Sequence, residues 1–470
     1  MDGWRLRRAM RAVEEARAKA EADPMRPAFH FHPPARWMND PNGTIHVDGY
    51  YHLFYQLNPY GDRWGTIHWG HARTRDFRIW EDLPIALVPD DDAHERHCYS
   101  GCAVLPKDGP PRILYTSVAS NEQRIPYRQR SAVGSDDLVR WRKEEQPVLS
   151  IEDAPGGTRW DWRDPYVIEH DGSHLLVVAA LIAHDGRQRA AILMYEALDA
   201  SLSRWRYLRP LHLFEEGVSF PECPNYFRIR DRWVLIVSPC GPVSYAIGPA
   251  GADPAQFAAE RLGLVDHSAE FYATNTFIVD TRVILVAWVR GFPEGRGWNG
   301  CLSMPRELGM SADGSLIQNP IDEIRLLRGR GGTIEPRLLR SNRIELDDIP
   351  VQSVELEGAV QVEDHGRAAI RLSCEDGPLF SIEFDGETST LDVEGIRVEL
   401  DRGPSAGEPI SFRIFVDRSV VELFVDGGRH CVTRVGQDLL RADRLVLEAT
   451  NGATFEQLQY WEMSPMVFRD

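Results

Sequence analysis

The sequence predicts an all-β protein, a five-bladed β-propeller followed by a β-sandwich. Two observations predict this fold class. A strand-turn-strand pattern returns five times within the first three hundred residues, and the C-terminal part alternates short strands with turn signals. No amphipathic helical pattern separates the repeated strands, which disfavours a parallel α/β fold.

Each repeat opens with a polar or acidic residue and a small or proline-containing turn, and it continues with two strands. The repeats begin near Asp40, Ser100, Asp164, Glu222 and Thr274, so they are 60, 64, 58 and 52 residues apart. Each interval has room for two strands beyond the hairpin. Four-stranded units of similar length are typical of propeller blades.

The chain divides into four predicted units: a helical extension over 1–25, the propeller over 26–330, a linker over 331–344 and the sandwich over 345–470. In the extension, Trp4, Met10 and Val13 are expected along one side of a helix. The glycine-rich run GRGGT at 329–333 indicates the linker. In SFRIFVDRSVVELFVDGG, strand-turn polarity is enough to explain Asp417 and Glu422.

Composition excludes several classes of function. A net charge of -18 argues against nucleic acid and anionic membrane surfaces. The longest apolar run, LLVVAALIA, is too short to span a bilayer, and residues 1–22 lack the apolar core of a secretory signal. Seven scattered cysteines without a C-x-x-C pair are typical of reduced thiols, so we expect a cytoplasmic protein.

Three repeats open on a carboxylate. In a propeller the first strand of each blade lines the central channel, so we expect Asp40, Asp164 and Glu222 at equivalent places around one funnel. Cleaving a glycosidic bond requires one carboxylic acid and one carboxylate. We expect Arg163 to pair with Asp164, and the apolar surroundings of Glu222 to favour its neutral form. The alternative is a Ca²⁺ or Mn²⁺ site, although the D-x-D-x-D ligand spacing is missing.

The motifs WMNDPNG, WRDP and ECP, in this order, resemble those of glycoside hydrolase family 32, which contains invertases, inulinases and levanases. FYATNTF, SMPRELG and FRIFVDRSVVELFVDGG extend the resemblance over residues 26–465. The resemblance implies a propeller joined to a sandwich. It also implies hydrolysis of β-D-fructofuranosides with retention, through a covalent fructosyl-enzyme intermediate and without a cofactor or metal.

The resemblance also implies residue roles. Asp40 corresponds to the nucleophile, Glu222 to the acid/base, and Asp164 to the group that holds the fructose hydroxyls. The positions that match the fructose pocket are Asn39, Gln56, Trp64, Ser100 and Arg163, and more loosely Tyr272 and Trp288. The last two are explained equally well as core aromatics. Pro41 and Asn42-Gly43 are expected to form a stiff turn that aims Asp40 into the channel.

Two other functions stay open at this stage. A fructosyltransferase would use the same carboxylates, and a non-catalytic carbohydrate-binding propeller would not need to keep Asp40 and Glu222. For a hydrolase in the cytoplasm, sucrose and short fructo-oligosaccharides are the expected substrates. An arginine cluster at Arg124, Arg128 and Arg130 would instead suit sucrose 6-phosphate, and inulin and levan are not excluded. A homodimer is the assembly we consider.

Overall fold

The computed structural model describes residues 3–90, 94–119, 122–251, 253–346, 348–401 and 409–469. Within these ranges the chain forms one α-helix, α1 (Gly3–Glu21), short 3₁₀ helices at Ile151–Asp153, Asp322–Leu327 and Asp438–Arg441, and 36 β-strands. None of the helices in the described ranges is both long and apolar enough to cross a membrane. The fold is all-β, as predicted.

The N-terminal part of the described chain folds into five antiparallel sheets. Sheet 1 has β1 (Arg36–Val47), β2 (Tyr50–Asn58), β3 (His68–Thr74) and β4 (Ile79–Leu87). Sheet 2 has β5 (His97–Val104), β6 (Arg112–Val118), β7 (Arg128–Gly134) and β8 (Trp141–Lys143). Sheet 3 has β9 (Arg163–His170), β10 (Ser173–His184), β11 (Arg187–Ala197) and β12 (Trp205–Leu213).

Sheet 4 has β13 (Glu222–Ile229), β14 (Arg232–Ser238), β15 (Ser244–Pro249) and β16 (Arg261–Leu264). Sheet 5 has β17 (Phe271–Val279), β18 (Arg282–Val289), β20 (Cys301–Leu302), β21 (Arg306–Met310) and β22 (Leu316–Pro320). We call the first strands, β1, β5, β9, β13 and β17, the inner strands. They contact one another in this order and β17 returns to β1, so they enclose one channel. The five sheets therefore form a β-propeller around it.

Two distant strands join sheet 1. β19 (Trp298–Asn299) runs parallel to β1, and β36 (Val467–Arg469) runs parallel to β4. The first strand brings the end of sheet 5 back to sheet 1, and the second attaches the C-terminus of the chain to the propeller. The ring is thus closed by main-chain hydrogen bonds as well as by side-chain packing.

Two further sheets form the C-terminal sandwich. One contains β23 (Arg328–Ile334), β24 (Arg337–Leu339), β26 (Ser353–Val362), β31 (Ile410–Asp417), β32 (Val420–Val425), β33 (His430–Val435) and β35 (Ala453–Met463). The other contains β25 (Arg343–Leu346), β27 (Arg367–Cys374), β28 (Gly377–Asp385), β29 (Thr390–Val393), β30 (Ile396–Glu399) and β34 (Arg444–Thr450). Their facing side chains, such as Leu356, Ile370, Phe384 and Phe412, share one buried core.

Residues 331–344 are not a free linker. They contribute to β23, β24 and β25, which pair with β34 and β35 of the sandwich. The glycines that suggested a linker are needed for a packing reason. A Cβ atom on Gly331 would lie 2.5 Å from the Trp461 ring, and one on Gly332 would lie 2.7 Å from the Tyr460 ring. The aromatic side chains of β35 occupy the space that larger residues on β23 would need.

Of the three residues predicted along one side of α1, Val13 packs against the core, but the prediction is wrong for Trp4 and Met10. Trp4 and Met10 are 52% and 42% exposed, and the residues that α1 buries are Ala9, Ala16 and Ala20. Small side chains allow the helix axis to lie close to the propeller, and Arg36 donates a hydrogen bond to the carbonyl of Ala12 at 2.8 Å. Close approach, rather than side-chain size, decides which face is buried.

A buried ionic cluster joins the propeller to the sandwich. His30 donates from Nδ1 to Asp417 at 2.8 Å and from Nε2 to Glu422 at 3.0 Å, and all three side chains are fully buried. Arg306 of β21 pairs with Glu422 and, at 3.0 Å, with Asp266. Burial opposes the charge of His30, but the bonds to the two carboxylates outweigh it and raise the His30 pKa to about 9.

We expect His30→Gln to destabilise the protein in a pH-dependent way. Because the folded pKa is raised from 6.5 to about 9, the stabilisation is complete below the lower value and is lost as pH rises through the higher one. At about pH 6 the variant should lose about 3 kcal/mol of unfolding free energy, since one pKa unit is worth about 1.4 kcal/mol. Denaturant unfolding of both proteins between about pH 6 and 9.5 measures this difference, which should shrink as pH rises. His365→Gln, at an exposed histidine, is the control, and a difference independent of pH would contradict the assignment.

Candidate active site

Every inner strand carries a β-bulge at the same end of the channel. At each bulge, two residues oppose a single residue of the neighbouring strand. The bulged pairs are Asn39–Asp40, Tyr99–Ser100, Asp164–Pro165, Cys223–Pro224 and Ala273–Thr274. Bulges redirect side chains, so this end of the channel is where the five strands turn their side chains toward one place.

The three carboxylates are not at equivalent places, in contrast to the expectation. Asp40 is the second residue of its bulge, Asp164 is the first residue of its bulge, and Glu222 precedes its bulge. Asp164 also has a left-handed backbone with φ 65°, which is uncommon for a residue other than glycine. The offset by one residue gives each carboxylate a different set of neighbours.

Asp40 lies within a chain of neutral hydrogen-bond donors. Asn39 donates to its Oδ1 at 2.9 Å, Gln56 donates to its Oδ2 at 3.1 Å, and the Ser100 hydroxyl also donates to Oδ2. Asn39 also donates from Nδ2 to Gln56 Oε1 at 2.6 Å, and the Trp37 ring N–H donates to Asn39 Oδ1 at 2.8 Å. Burial raises the pKa of Asp40, and the Ser100 hydrogen bond opposes that rise.

Asp164 is the most buried of the three carboxylates at this end of the channel. It is 5% exposed, and its Oδ2 accepts the main-chain N–H of Cys223 at 2.9 Å. Its own N–H donates to the Thr116 hydroxyl at 2.9 Å. Burial raises the pKa of Asp164 to about 7, with Arg163 opposing the rise and Glu222 adding to it. This carboxyl therefore changes protonation near neutral pH.

Glu222 has a donor at each oxygen. Arg163 donates to Oε1 at 2.8 Å, and the Tyr272 hydroxyl donates to Oε2. The expected pairing of Arg163 with Asp164 is therefore secondary, because those two side chains are 3.9 Å apart. Arg163, Glu222 and Tyr272 occupy the same position relative to the bulge on neighbouring strands, which explains why they meet. The guanidinium also covers the Phe220 ring at 3.6 Å.

The motif RWMNDPNG is a doubly bulged strand and not the predicted turn. Residues 36–47 form β1, with irregular register between Met38 and Pro41 and again between Asn42 and Ile45. Gly43 has φ 52°, and a Cβ atom there would lie 2.8 Å from the Phe54 ring. The turn-forming residues serve to bend the strand so that Asp40 leaves the regular alternation.

Two predicted pocket residues are less directly connected. Trp288 packs edge-on against Trp37 with ring centroids 5.5 Å apart, so it supports the Asn39 end of the network. Trp64 is 47% exposed and packs on His97 at 5.0 Å. The sequence does not distinguish the supporting role of Trp288 from the exposed position of Trp64, because both residues are tryptophans near a motif. Of the two, Trp64 presents the open aromatic surface.

Sequence reasoning missed three site residues. Cys223 places its Sγ 3.5 Å from Asp40 Oδ2 and gives its N–H to Asp164, so it lies between two carboxylates. Cys240, exposed and with φ 63°, donates its N–H to the Tyr272 hydroxyl at 3.0 Å. Thr116 holds the main chain of Asp164. Cys223 could have been found because it is part of the ECP motif, whereas Thr116 and Cys240 do not lie in any distinctive sequence pattern.

The alternative of a metal centre receives no geometric support. In the part of the chain that the structure describes, no three His, Cys, Asp or Glu side chains are grouped as ligands for a metal ion. The carboxylate oxygens at this end of the channel instead accept hydrogen bonds from Ser, Asn, Gln, Tyr and Arg side chains. Such an arrangement suits acid-base and nucleophilic chemistry.

A closed propeller with hydrogen-bonded carboxylates at one end of its channel is an arrangement found in glycoside hydrolases. Comparison with known proteins assigns the chain to the same class. Residues 30–320 match the N-terminal domain of glycosyl hydrolases family 32, and residues 334–462 match the C-terminal part of that family. The chain belongs to glycoside hydrolase family 32.

Similar proteins include two from Escherichia coli. Sucrose-6-phosphate hydrolase is 31% identical over 434 residues, which cover 86% of this chain and 87% of that protein. Raffinose invertase is 31% identical over 458 residues, which cover 90% and 92%. The solved structure of the Bombyx mori β-fructofuranosidase has a TM-score of 0.83 at 26% identity, covering 99% of this chain and 100% of that one.

We expect Asp164→Asn to stabilise the protein at alkaline pH. A raised carboxyl pKa means that the folded state favours the neutral form of Asp164. The unfolding free energy is therefore unaffected by this group below about pH 4, and it falls as pH rises from there through about 7. Asparagine stays neutral and its oxygen still accepts the Cys223 N–H. At about pH 8 the variant should gain about 2–4 kcal/mol, and at about pH 4 it should equal the wild type. Thermal melting at both pH values is the measurement, with the exposed Asp231→Asn as control. A variant less stable than wild type at pH 8 would refute the expectation.

Proposed function

We propose that this protein hydrolyses terminal β-D-fructofuranosyl residues of sucrose and short fructo-oligosaccharides with retention, through a covalent fructosyl-enzyme intermediate. One observation carries the proposal. Three carboxylates with three different sets of partners meet at one end of the channel, on β1, β9 and β13. Different surroundings allow similar carboxyl groups to take different chemical roles. The family membership supports the same conclusion.

We infer that the five sheets around the channel are the five blades of the propeller. The closed order of contacts among the inner strands supports this count. The propeller and sandwich boundaries follow as a second inference. We place their junction at the short helix Asp322–Leu327, because β23 begins at Arg328 and pairs with the sandwich. The extension over 1–25 corresponds to α1 and the turn after it.

In the proposed reaction, Asp40 attacks the anomeric carbon of fructose. Its carboxylate displaces the leaving-group oxygen and forms an ester with C2. The neutral donors Asn39, Gln56 and Ser100 hold the carboxylate in one orientation without adding a charge to the site. A fixed nucleophile requires less reorganisation when the substrate binds.

Glu222 would act as the acid and then as the base. It gives a proton to the leaving oxygen as the bond to C2 breaks, and it later takes a proton from the water that hydrolyses the ester. Arg163 and Tyr272 set its orientation through separate oxygens. Asp40 is released unchanged, so the two displacements restore the original configuration at C2.

Asp164 would hold the fructose hydroxyls. It is enclosed, its main chain is fixed by Thr116, and its backbone φ is unusual, so its oxygens have little freedom. Trp64, with an open ring at the edge of the site, would provide an apolar surface for the sugar. Trp288 would act through Trp37 rather than by direct contact.

For the substrate, we propose neutral fructosides. The arginine cluster suggested for phosphate is incomplete, because Arg130 is buried and donates to the carbonyls of Glu144 and Glu145 at 2.6 and 3.2 Å. The name of one relative, sucrose-6-phosphate hydrolase, favours the phosphorylated sugar as a second candidate. A cytoplasmic location is part of the proposal and is supported by seven cysteines that are all unpaired. A homodimer stays a prediction.

The two rival functions are less well supported. The two relatives from Escherichia coli are named as a sucrose-6-phosphate hydrolase and a raffinose invertase, and neither name is that of a transferase, which favours hydrolysis. A module that only binds sugar would not need Asp40 and Glu222 together with their separate hydrogen-bond partners. Both residues and both sets of partners are present.

We expect Asp40→Ala and Glu222→Ala to abolish most turnover of sucrose. Losing an acid should cost about 10²–10⁴-fold in kcat, and losing the nucleophile should cost more. Release of glucose from sucrose is the measurement, and Glu216→Ala on the surface is the control. Near-normal rates in either variant with unchanged melting would exclude the assigned roles.

We expect the first fructose released from sucrose to be the β anomer. Two displacements at C2 keep the configuration, whereas a single displacement by water would invert it. Rapid ¹H NMR of the reaction follows the anomers before they equilibrate. The same samples identify the products. Initial α-fructose would refute retention, fructose appearing mainly in oligosaccharides would indicate a transferase, and a rate more than about tenfold higher on sucrose 6-phosphate would favour the second candidate.

A further inference from the structure

The channel has a second cavity at the end opposite to the carboxylates. It has a volume of about 640 Å³ and is lined by residues from all five inner strands, among them Ile45, Val104, Glu169, Phe227 and Ile278. These residues lie toward the C-terminal ends of the strands, whereas Asp40, Asp164 and Glu222 lie near the N-terminal ends. The volume is within the range of pockets that hold small organic ligands.

A layer of hydrogen-bonded side chains separates this cavity from the carboxylates. Thr44 donates to Asn275 at 2.6 Å, and Tyr166 and Thr276 share a hydrogen bond of 2.7 Å. Asn225 donates to the carbonyl of Thr274 at 2.9 Å. Tyr166, Asn225 and Asn275 follow their bulges directly, and Thr44 lies in the second bulge of β1. The layer links β1, β9, β13 and β17. A ligand in the second cavity would therefore not reach the reacting groups.

The lining of the cavity has nearly balanced charge. Arg228 and Arg230 are exposed at its mouth, and the same cavity is lined by Glu169 of β9 and by Asp171 and Asp280 in the turns after β9 and β17. Among the described residues, neither arginine has an ion-pair partner, and the Nε of Arg228 is bonded to the carbonyl of Arg230 at 2.6 Å. Donors and acceptors are thus both available at the mouth, and neither sign of charge dominates.

The remaining wall is apolar. Leu105 and Ile278 are 42% and 48% exposed at the rim. The rings of Phe227 and Trp233 are largely buried, at 1% and 4% exposed, and Trp233 stacks on Tyr226 with ring centroids 4.8 Å apart. The aliphatic rim is therefore the apolar surface that is open to a ligand.

We propose that this cavity is a second, non-catalytic binding site for a neutral di- or trisaccharide. A sugar of this size presents hydroxyl groups that both donate and accept, and C–H faces that pack on apolar and aromatic side chains. The carboxylates and arginines at the mouth and the exposed aliphatic side chains at the rim match both properties. A phosphorylated or anionic ligand fits less well, because three acidic side chains line the same cavity.

Equilibrium dialysis with radiolabelled sucrose tests the proposal. The parent protein is Asp40→Asn, which should bind sucrose without turning it over. We expect two molecules of sucrose per chain in this protein and one after the further changes Arg228→Ala and Arg230→Ala. The matched control adds Arg187→Ala and Arg204→Ala, two exposed arginines of sheet 3 that do not line the cavity, and it should keep both molecules.

Each other outcome overturns the proposal. One sucrose per chain in the parent, or two in the Arg228/Arg230 variant, would show that the cavity does not bind sugar there. Displacement of the second sucrose by inorganic phosphate would assign an anion site instead. The same two arginine changes in the wild-type chain should leave kcat on sucrose within about twofold, and a larger loss would contradict a non-catalytic site. Failure of the proposed hydrolase function would appear separately, as absent cleavage by the wild-type chain.

Discussion

The candidate site depends on closure of the inner ring. The five inner strands surround one narrow channel, and regular alternation would send every second side chain of each strand into it. One extra residue per strand, at the same end, breaks that alternation. The bulges allow consecutive residues such as Asn39 and Asp40 to face the same partner, Gln56. The geometry of the carboxylates is therefore set by the backbone, and the side chains follow it.

The bulges also give the three carboxylates different hydrogen-bond partners. Asp40 receives neutral donors from sheets 1 and 2, whereas Glu222 receives a cation and a phenol from sheets 3 and 5. The Asp164 carboxylate instead accepts the main-chain N–H of Cys223, and the N–H of Asp164 donates to the Thr116 hydroxyl. Neutral donors orient a carboxylate without a counter-ion, and this keeps a nucleophile free to attack. Positions offset by one residue therefore produce three distinct environments from one repeated strand.

Much of the architecture was predictable because the relevant signals are local. Turn residues and apolar strands mark hairpins, and their regular spacing indicated the sheets. The bulges were not predictable, since one extra residue barely changes a short hydrophobic pattern. The glycines 331 and 332 indicated a linker because the Tyr460 and Trp461 rings that require them are remote in sequence. Likewise, strand-turn polarity seemed to explain Asp417, whose partner His30 is 387 residues away.

Buried charges have different partners in the ionic cluster that joins the propeller to the sandwich, called the joint below, and at the candidate site. This difference connects stability with function. At the joint, the two cations His30 and Arg306 bond to the three carboxylates of Asp266, Asp417 and Glu422, so removal of either cation leaves buried carboxylates without a cationic partner. At the site, Arg163 contacts Asp164 and Glu222, whereas Asp40 accepts hydrogen bonds from neutral donors. Burial and the nearby charge of Glu222 raise the pKa of Asp164 to about 7 and cost stability at neutral pH. The two buried clusters therefore act in opposite directions at neutral pH: the raised pKa of His30 means that its charge stabilises the folded state, whereas the raised pKa of Asp164 means that its charge destabilises it.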